Sequence, residues 1–379
     1  MSESADAIVI GAGPAGLAAA KCLADLGLHP VVLEKADTVG SVWRNHYDRL
    51  HLHTPRRLSA LPGLAIPAAT GRYTSRADVV AYLEAYAKAF TIMPRLATEV
   101  LAIEKNTTGW RIETTRQSLI SPVVIVATGS ASFPNRPALK GEEFFSGSVI
   151  HSSQYRNPGP FKGKRVLVVG FGNSGAEIAL DLAEHNVDVG LSVRSPVNIL
   201  PRELFGISIL NFAIAESALP PRVADLLNAP LLRLVLGRPE TLGLRPASKG
   251  ALQMIAEHGK IPVLDVGTCA MIRSGKIKIY SGLESLETTT ANFAGNVCSA
   301  FDAIILATGY RNHFHALFAK IPELFDGAGV PLHSDGRAAA AGLYFLGARP
   351  VATGQLREIA RGARRIARSV KASLTSARQ

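Results

Sequence analysis

This chain of 379 residues is poor in cysteine, and its three cysteines lie far apart. Cys22, Cys269 and Cys298 form no Cys-x-x-Cys pair, which excludes an enzyme working through a redox-active cysteine couple. They also give no disulfide framework and no zinc spacing. No metal-ligand cluster and no Ser-His-Asp arrangement stands out, so no metal is expected. The start, Met1 to Asp6, is acidic and polar and lacks a signal-peptide pattern, so the expected compartment is a reducing cytoplasm. Long apolar runs are missing too. The longest stretch, Leu204 to Leu236, is interrupted by Asn211, Glu216, Pro220, Pro221, Arg222, Asp225 and Arg233. No window in it reaches the ~18 uncharged apolar residues of a transmembrane segment. Two or three short helices are expected there. A lid over an apolar substrate cavity, ordinary core and loose membrane contact remain open readings.

Clustered charge is scarce as well. The net charge is +11, yet only the run Arg357, Arg361, Arg364, Arg365, Arg368 and Lys371 concentrates it. A nucleic-acid binder would gather its cations on one face. The expectation is instead a solvated face on a terminal helix, attraction for anionic cofactors and substrate, and no nucleic-acid partner. With 47% hydrophobic and 19% charged residues the chain is globular, and its length suits two domains.

What is present is a pair of glycine fingerprints. Gly11-Ala12-Gly13-Pro14-Ala15-Gly16 follows the apolar run Ala7 to Ile10, and Gly170-Phe171-Gly172-Asn173-Ser174-Gly175 follows Val166 to Val169. Each reads as strand, tight turn and helix start. The first glycine permits the turn, the second lets backbone approach a pyrophosphate, and the third lets helix and strand pack closely. The unpaired N–H groups of the helix start then face the phosphates. Two such motifs imply two dinucleotides on one chain, and electron transfer between them.

After the first fingerprint, a helix is expected over Leu17 to Leu26, closed by Gly27, then the strand Pro30 to Leu33. Glu34 ends that strand about 20 residues past the glycines, where a carboxylate accepts from a ribose hydroxyl, with Lys35 beside it. This suits FAD or NAD, and its place in the chain favours FAD. Two strands run into Ala127-Thr128-Gly129 and Ala307-Thr308-Gly309, small residues that let backbone pass close to cofactor. A strand ending at Gly347 and a helix from about Gln355 would set a helix N-terminus beside the flavin ring. After the second fingerprint come a helix over Gly175 to Ala183 and a strand over Val187 to Val193. Arg194 and Ser195 stand where an acid would mark NAD, so NADPH is expected.

The fold class expected is α/β, with two Rossmann-like dinucleotide-binding domains of the glutathione-reductase type. Residues 1–155 would be the first part of the FAD domain. Residues 156–305 would bind NADPH and carry a helical insertion near 204–250. Residues 306–379 would complete the FAD domain.

Phe145-Ser146-Gly147-Ser148-Val149-Ile150-His151-Ser152-Ser153-Gln154-Tyr155 matches F-x-G-x-x-x-H-x-x-x-Y. The chain thereby resembles the class B flavin monooxygenases. Tyr155, where Baeyer–Villiger relatives carry Trp, makes it similar to the flavin-containing monooxygenase branch. In that pattern His151 is structural and conformational rather than a base. Four stretches resemble the plant YUCCA family, which converts indole-3-pyruvate to indole-3-acetate. They are Tyr47 to His53, Tyr82 to Ala87, Leu200 to Glu203 and Gly259 to Gly267. The similarity runs from about Ile8 to Ile366. His53, two residues before Pro55-Arg56, stands where amine-oxidising relatives have Asn. Gly40-Ser41-Val42-Trp43-Arg44 departs from G-G-x-W-R at Ser41, while Trp43 and Arg44 keep the flavin-loop pattern.

The resemblance implies that NADPH reduces FAD, that a flavin C4a-hydroperoxide forms with O2, and that one oxygen atom enters a small organic substrate. The flavin carries that chemistry while the protein orients and excludes water. An aromatic 2-oxo acid would lose CO2. N- or S-oxygenation, an NADPH oxidase or reductase, and a redox-sensing flavoprotein are the rival readings. His53, Arg202 and Lys249 are the candidates for contact with substrate; Arg202 and Lys249 could equally hold NADP or be surface charge. The oligomeric state is open, a homodimer included.

Overall fold

The computed structural model describes residues 3–130, 133–312 and 314–376. Ala7–Ile10 is apolar throughout and buried throughout, as a strand covered on both faces must be. It lies inside a five-stranded sheet with Pro30–Leu33 on one side and Val124–Val126 on the other, both parallel to it. Leu343–Leu346 pairs in parallel with Val124–Val126, and Asp335–Ala340 adds an antiparallel edge. Alternate residues of Ala7–Ile10 serve two cores. Ala7 and Val9 pack with the helices Pro14–Ala24 and Gln355–Ser376. Ile8 and Ile10 pack with Trp110, Phe318 and Phe345 beneath a four-stranded sheet.

A second five-stranded sheet repeats the plan. Arg165–Val169 is flanked in parallel by Asp188–Ser192 and Ala303–Leu306, with Ile277–Tyr280 and Ser148–His151 at the edges. Val166 and Val168 face the helix Asn173–Glu184, and Leu167 faces Phe293 of a three-stranded meander and Phe301 just after it. The architecture is α/β with two dinucleotide-binding units. Ser148–His151 belongs to the second sheet, although it precedes the boundary drawn at 155 from sequence.

Both fingerprint helices begin earlier than the sequence pattern indicates. The first starts at Pro14, not Leu17, because proline at the first helical position has its φ already set and loses no hydrogen bond there. The second starts at Asn173, so Gly175 lies inside the helix.

The stretch from Leu204 forms a hairpin, the helix Ile209–Ala215, a 3-10 turn and the helix Pro221–Leu236. Of the last helix only Ala224 is buried, while Leu226 and Leu234 are 75% and 80% exposed. None of its residues lines the large cavity described below. For this helix the lid and ordinary-core readings are both corrected, because its apolar side points outward, whereas Leu204 and Leu210 earlier in the stretch are buried. Among the described residues no helix is long and apolar enough to cross a membrane. The basic C-terminal run lies on Gln355–Ser376, whose other side buries Ile359, Ala363, Ile366 and Val370. Arg365 pairs with Asp335 at 2.7 Å and Arg361 with Glu358 at 3.4 Å, as on a solvated face.

Candidate active site

A cavity of about 720 Å³ opens at the carboxyl ends of the first sheet's strands, where open α/β sheets bind ligands. It gathers most of the residues marked in the sequence for the first nucleotide. Gly11, Gly13, Pro14, Ala15, Glu34, Lys35, Trp43, His53, Thr128, Gly129, Gly347 and Gln355 all line it. Gln355 opens the last long helix and donates from Nε2 to the Gly347 carbonyl at 3.2 Å.

The three glycines of each fingerprint meet different constraints. Gly11 has φ +106°, and a Cβ there would stand 2.7 Å from the Ala127 carbonyl oxygen. At Gly16 it would stand 1.8 Å from the Gly11 carbonyl oxygen. Gly13 has φ −84° and no protein atom within 4 Å of its Cβ position. The second fingerprint copies this. Gly170 at φ +107° abuts the Ala307 carbonyl, Gly175 abuts the Gly170 carbonyl, and Gly172 at φ −95° meets nothing. The outer glycines are demanded by the fold. The middle ones are demanded only by something that comes to lie against them, as a pyrophosphate does. Residues 11–16 and 170–175 thus fit two dinucleotides. The two Ala-Thr-Gly crossings divide between them, Ala127 under Gly11 and Ala307 under Gly170.

Glu34 is buried, and its carboxylate accepts the Ala12 N–H at 2.7 Å and the Ala36 N–H at 3.0 Å. It is held rigid at the cavity wall with lone pairs left over. Ser41 needs no glycine, because the left-handed residue of that turn is Gly40, at φ +67°. Trp43 lines the cavity. The Arg44 guanidinium turns to Glu84 and the Val39 carbonyl instead.

At the second fingerprint, Asn173 spends its side chain on the Pro262 carbonyl and the Leu264 N–H, clamping Val263–Asp265 over the helix. Arg194 stands beyond the end of Asp188–Ser192, next to Ser195. The Arg245 guanidinium donates to the Arg194 carbonyl, bringing a second cation to this point. Thr308 Oγ1 donates to the Asn135 carbonyl at 2.5 Å, and Gly309 accepts from His151.

His151 is buried. The Ser153 N–H donates to its Nδ1 at 3.1 Å, and Nε2 meets the Gly309 carbonyl at 3.0 Å. Burial pushes its pKa down, and Arg136 adds to this. Both ring nitrogens are engaged, so His151 ties two neighbouring loops of the second sheet together as a neutral ring. Arg202 stacks over the Tyr73 ring at 4.3 Å, and Lys249 pairs with Glu257; neither lines the cavity.

The model of the pyridine nucleotide-disulphide oxidoreductase family matches residues 8–200. The chain is 39% identical over 86% of its length, and 81% of the other, to "Indole-3-pyruvate monooxygenase YUCCA1" of Oryza sativa subsp. japonica. It is 37% identical over 90% of its length, and 84% of the other, to "Indole-3-pyruvate monooxygenase YUCCA6" of Arabidopsis thaliana. The chain belongs to the YUCCA family of flavin monooxygenases. Among solved structures, the flavin-containing monooxygenase from Stenotrophomonas maltophilia is 25% identical, with TM-score 0.72, covering 98% of this chain and 99% of that one. A steroid monooxygenase bound to NADP shares the fold at TM-score 0.77 and 20% identity, covering 99% of this chain and 87% of that one.

This YUCCA-family chain is thus an oxidoreductase, an NADPH-dependent flavin monooxygenase whose cofactors are FAD and NADPH. O2 and an organic molecule are its other reactants. Two residues of the site, Glu177 and Arg245, had no motif to announce them, and Tyr47 was marked only as the start of a family-like stretch. Glu177, buried on the second fingerprint helix, meets His53 Nε2 of the flavin side. Tyr47 is buried beside Ser174 and Glu177; burial first, then the Glu177 carboxylate, push its pKa well above the ordinary range. Arg245 lies far from Arg194 in sequence. Only the fold brings these groups together.

Proposed function

We propose that this chain oxygenates an aromatic 2-oxo acid of the indole-3-pyruvate class. One oxygen atom of O2 ends in the shortened carboxylic acid, the other in water, and CO2 leaves; NADPH and a proton supply the reducing equivalents. The reading is carried by 36–40% identity across most of the chain to relatives named for that substrate. Bound FAD supplies electron transfer and activation of O2. The chain's own residues hold and shield it. We assign Gly11 to Gly16 and Glu34 to the adenosine diphosphate part of FAD, and Trp43, Gly347 and Gln355 to the neighbourhood of its ring. Gly170 to Gly175 hold the NADPH pyrophosphate, and Arg194 with Arg245 hold its 2′-phosphate. Leu50 and Leu52, which precede His53 in the chain and line the same cavity, supply apolar wall for an aromatic ring. The domain split follows the sheets, with the NADPH part inserted in the FAD part. A reducing cytoplasm suits the free thiols of Cys22, Cys269 and Cys298.

The test measures NADPH consumption against 2-oxo acids, amines, thioethers and ketones, with 18O2 and product identification by mass spectrometry. Indole-3-pyruvate or phenylpyruvate should accelerate consumption and yield the labelled shortened acid. Amine or sulfide oxygenation without oxo-acid turnover would overturn the substrate and leave the monooxygenase. Peroxide as the sole product would overturn oxygenation of an organic substrate.

A further inference from the structure

One buried contact joins the flavin cavity to the second nucleotide unit. His53 lines the cavity and is contributed by the segment that follows the flavin loop. Its Nε2 meets Oε1 of Glu177. Glu177 lies on the helix Asn173–Glu184, two residues past the second fingerprint, and is 3% exposed. The same segment is fixed at two further points on that helix. Tyr47 packs in the core of the second unit beside Ser174, and Arg49 pairs with Glu184. Thr54 Oγ1 and Ser59 Oγ share a hydrogen bond at 2.6 Å, anchoring the chain just past His53. The imidazole is therefore held from both sides, while its Nδ1 has no protein partner among the described residues.

A carboxylate accepts hydrogen bonds and donates none, so the ring nitrogen facing it must carry the proton. In a neutral imidazole the other nitrogen is then a bare acceptor, and the tautomer is set by the partner of the first. Burying a carboxylate this deeply is costly without a donor, so the pairing is enforced from the Glu177 side too. The carboxylate faces a second buried donor as well, the Tyr47 hydroxyl. Its neighbours Ala176, Ile178 and Ala179 are buried and apolar, and the helix's other buried acid, Asp181, likewise has a donor, the Tyr155 hydroxyl at 2.8 Å.

We propose that Glu177 is a positioning residue for the oxygenation: it fixes His53 as the Nε2–H tautomer, so that Nδ1 is offered to the substrate as a hydrogen-bond acceptor. The matching substrate group is a hydroxyl or ring N–H, such as the enol form of a 2-oxo acid or an indole N–H. The inference rests on the oxo-acid reading for the identity of that substrate, but the tautomer itself does not. Because the acceptor comes from one unit and its orienter from the other, the ring is set correctly only when the two units are docked.

The first readout needs no substrate. In the FAD-loaded protein labelled with 15N-histidine, the His53 resonances are those lost in His53→Asn. At neutral pH they should show a protonated Nε2 and a bare Nδ1. A doubly protonated ring, or a proton on Nδ1, overturns the proposal without any variant at Glu177. The second readout separates hydrogen bond from charge. Glu177→Gln retains a carbonyl oxygen that accepts from Nε2, and should keep oxo-acid turnover within a few-fold. Glu177→Leu should draw the nitrogen shifts toward a tautomer average. It should also lower kcat on the order of a hundredfold, as expected for a misplaced group, with a smaller change in KM. The double variant Glu177→Leu, His53→Gln should lose no more than either single one. Gln as damaging as Leu, or losses that add, would overturn the proposal. If no oxo acid is turned over but the nitrogen shifts hold, the substrate reading fails and the positioning role stands.

Discussion

At the scale of single residues, the two fingerprints separate what the fold needs from what the ligands need. Gly13 and Gly172 have ordinary backbone angles and free space around their Cβ positions. Gly13→Val should therefore give a folded protein with an unchanged melting profile and no yellow colour. Gly172→Val should stay yellow and fail to be reduced by NADPH. Gly16→Ala, by contrast, drives a Cβ into the Gly11 carbonyl and should unfold the first unit. Loss of melting cooperativity in Gly13→Val would show that its glycine serves the fold after all. Arg194→Ala removes one charge-assisted contact to a 2′-phosphate, about 2 kcal/mol or roughly thirtyfold in kcat/KM for NADPH. The value for NADH should hardly move, and steady-state kinetics with the two cofactors decides it.

At the scale of elements, the helix Gln355–Ser376 does two jobs. Its first residue lines the flavin cavity, and its buried stripe packs against Pro14–Ala24. Ile366 is fully buried in that contact. Ile366→Ala should destabilise the protein by about 2–5 kcal/mol, as large-to-small core changes do. Flavin should also leave at lower denaturant than in the wild type, followed by absorbance during urea titration. Much of this layer was legible in the sequence. Both fingerprints, the strands feeding them and the last helix carry local patterns that survive in the fold. Helix starts were less legible, because glycine and proline read as breakers even where they occupy the first turn. The outward apolar side of Pro221–Leu236 was illegible too, since periodicity reports that a side is apolar and not which way it faces. Glu177 and Arg245 were beyond sequence reasoning for another reason, and so was the role of Tyr47 within the stretch the sequence marked. Each acquires its role from a partner placed beside it only by tertiary packing.

At the scale of the whole molecule, the buried His151 and the half-buried His46 make stability depend on pH. Burial lowers the pKa of His151 and of His46, with Arg136 adding at the first and Arg156 at the second. Unfolded, each would titrate near its ordinary value of about 6.5. As pH falls below that value the unfolded chain takes up protons first, so stability is complete above about 6.5 and is lost progressively below it. Glu257, held down to about 2 by Lys249, and Asp302, held there by Arg165, act only in a lower window. The melting temperature should drop between about pH 7 and 5, and His151→Gln should flatten that slope. An unchanged slope would remove His151 from the account. The strand order carries a last consequence. The second sheet is made wholly from Ser148 to Leu306, whereas the first recruits Leu343–Leu346 from much later in the chain. Closing that long loop is the slower event, so the two halves should mature at different times. Pulsed hydrogen exchange during refolding should protect Val166–Val169 before Val124–Val126, and simultaneous protection would refute it. On a ribosome this becomes an order of assembly: the half that receives reducing equivalents is finished first, and the half that spends them on oxygen waits for its returning strand.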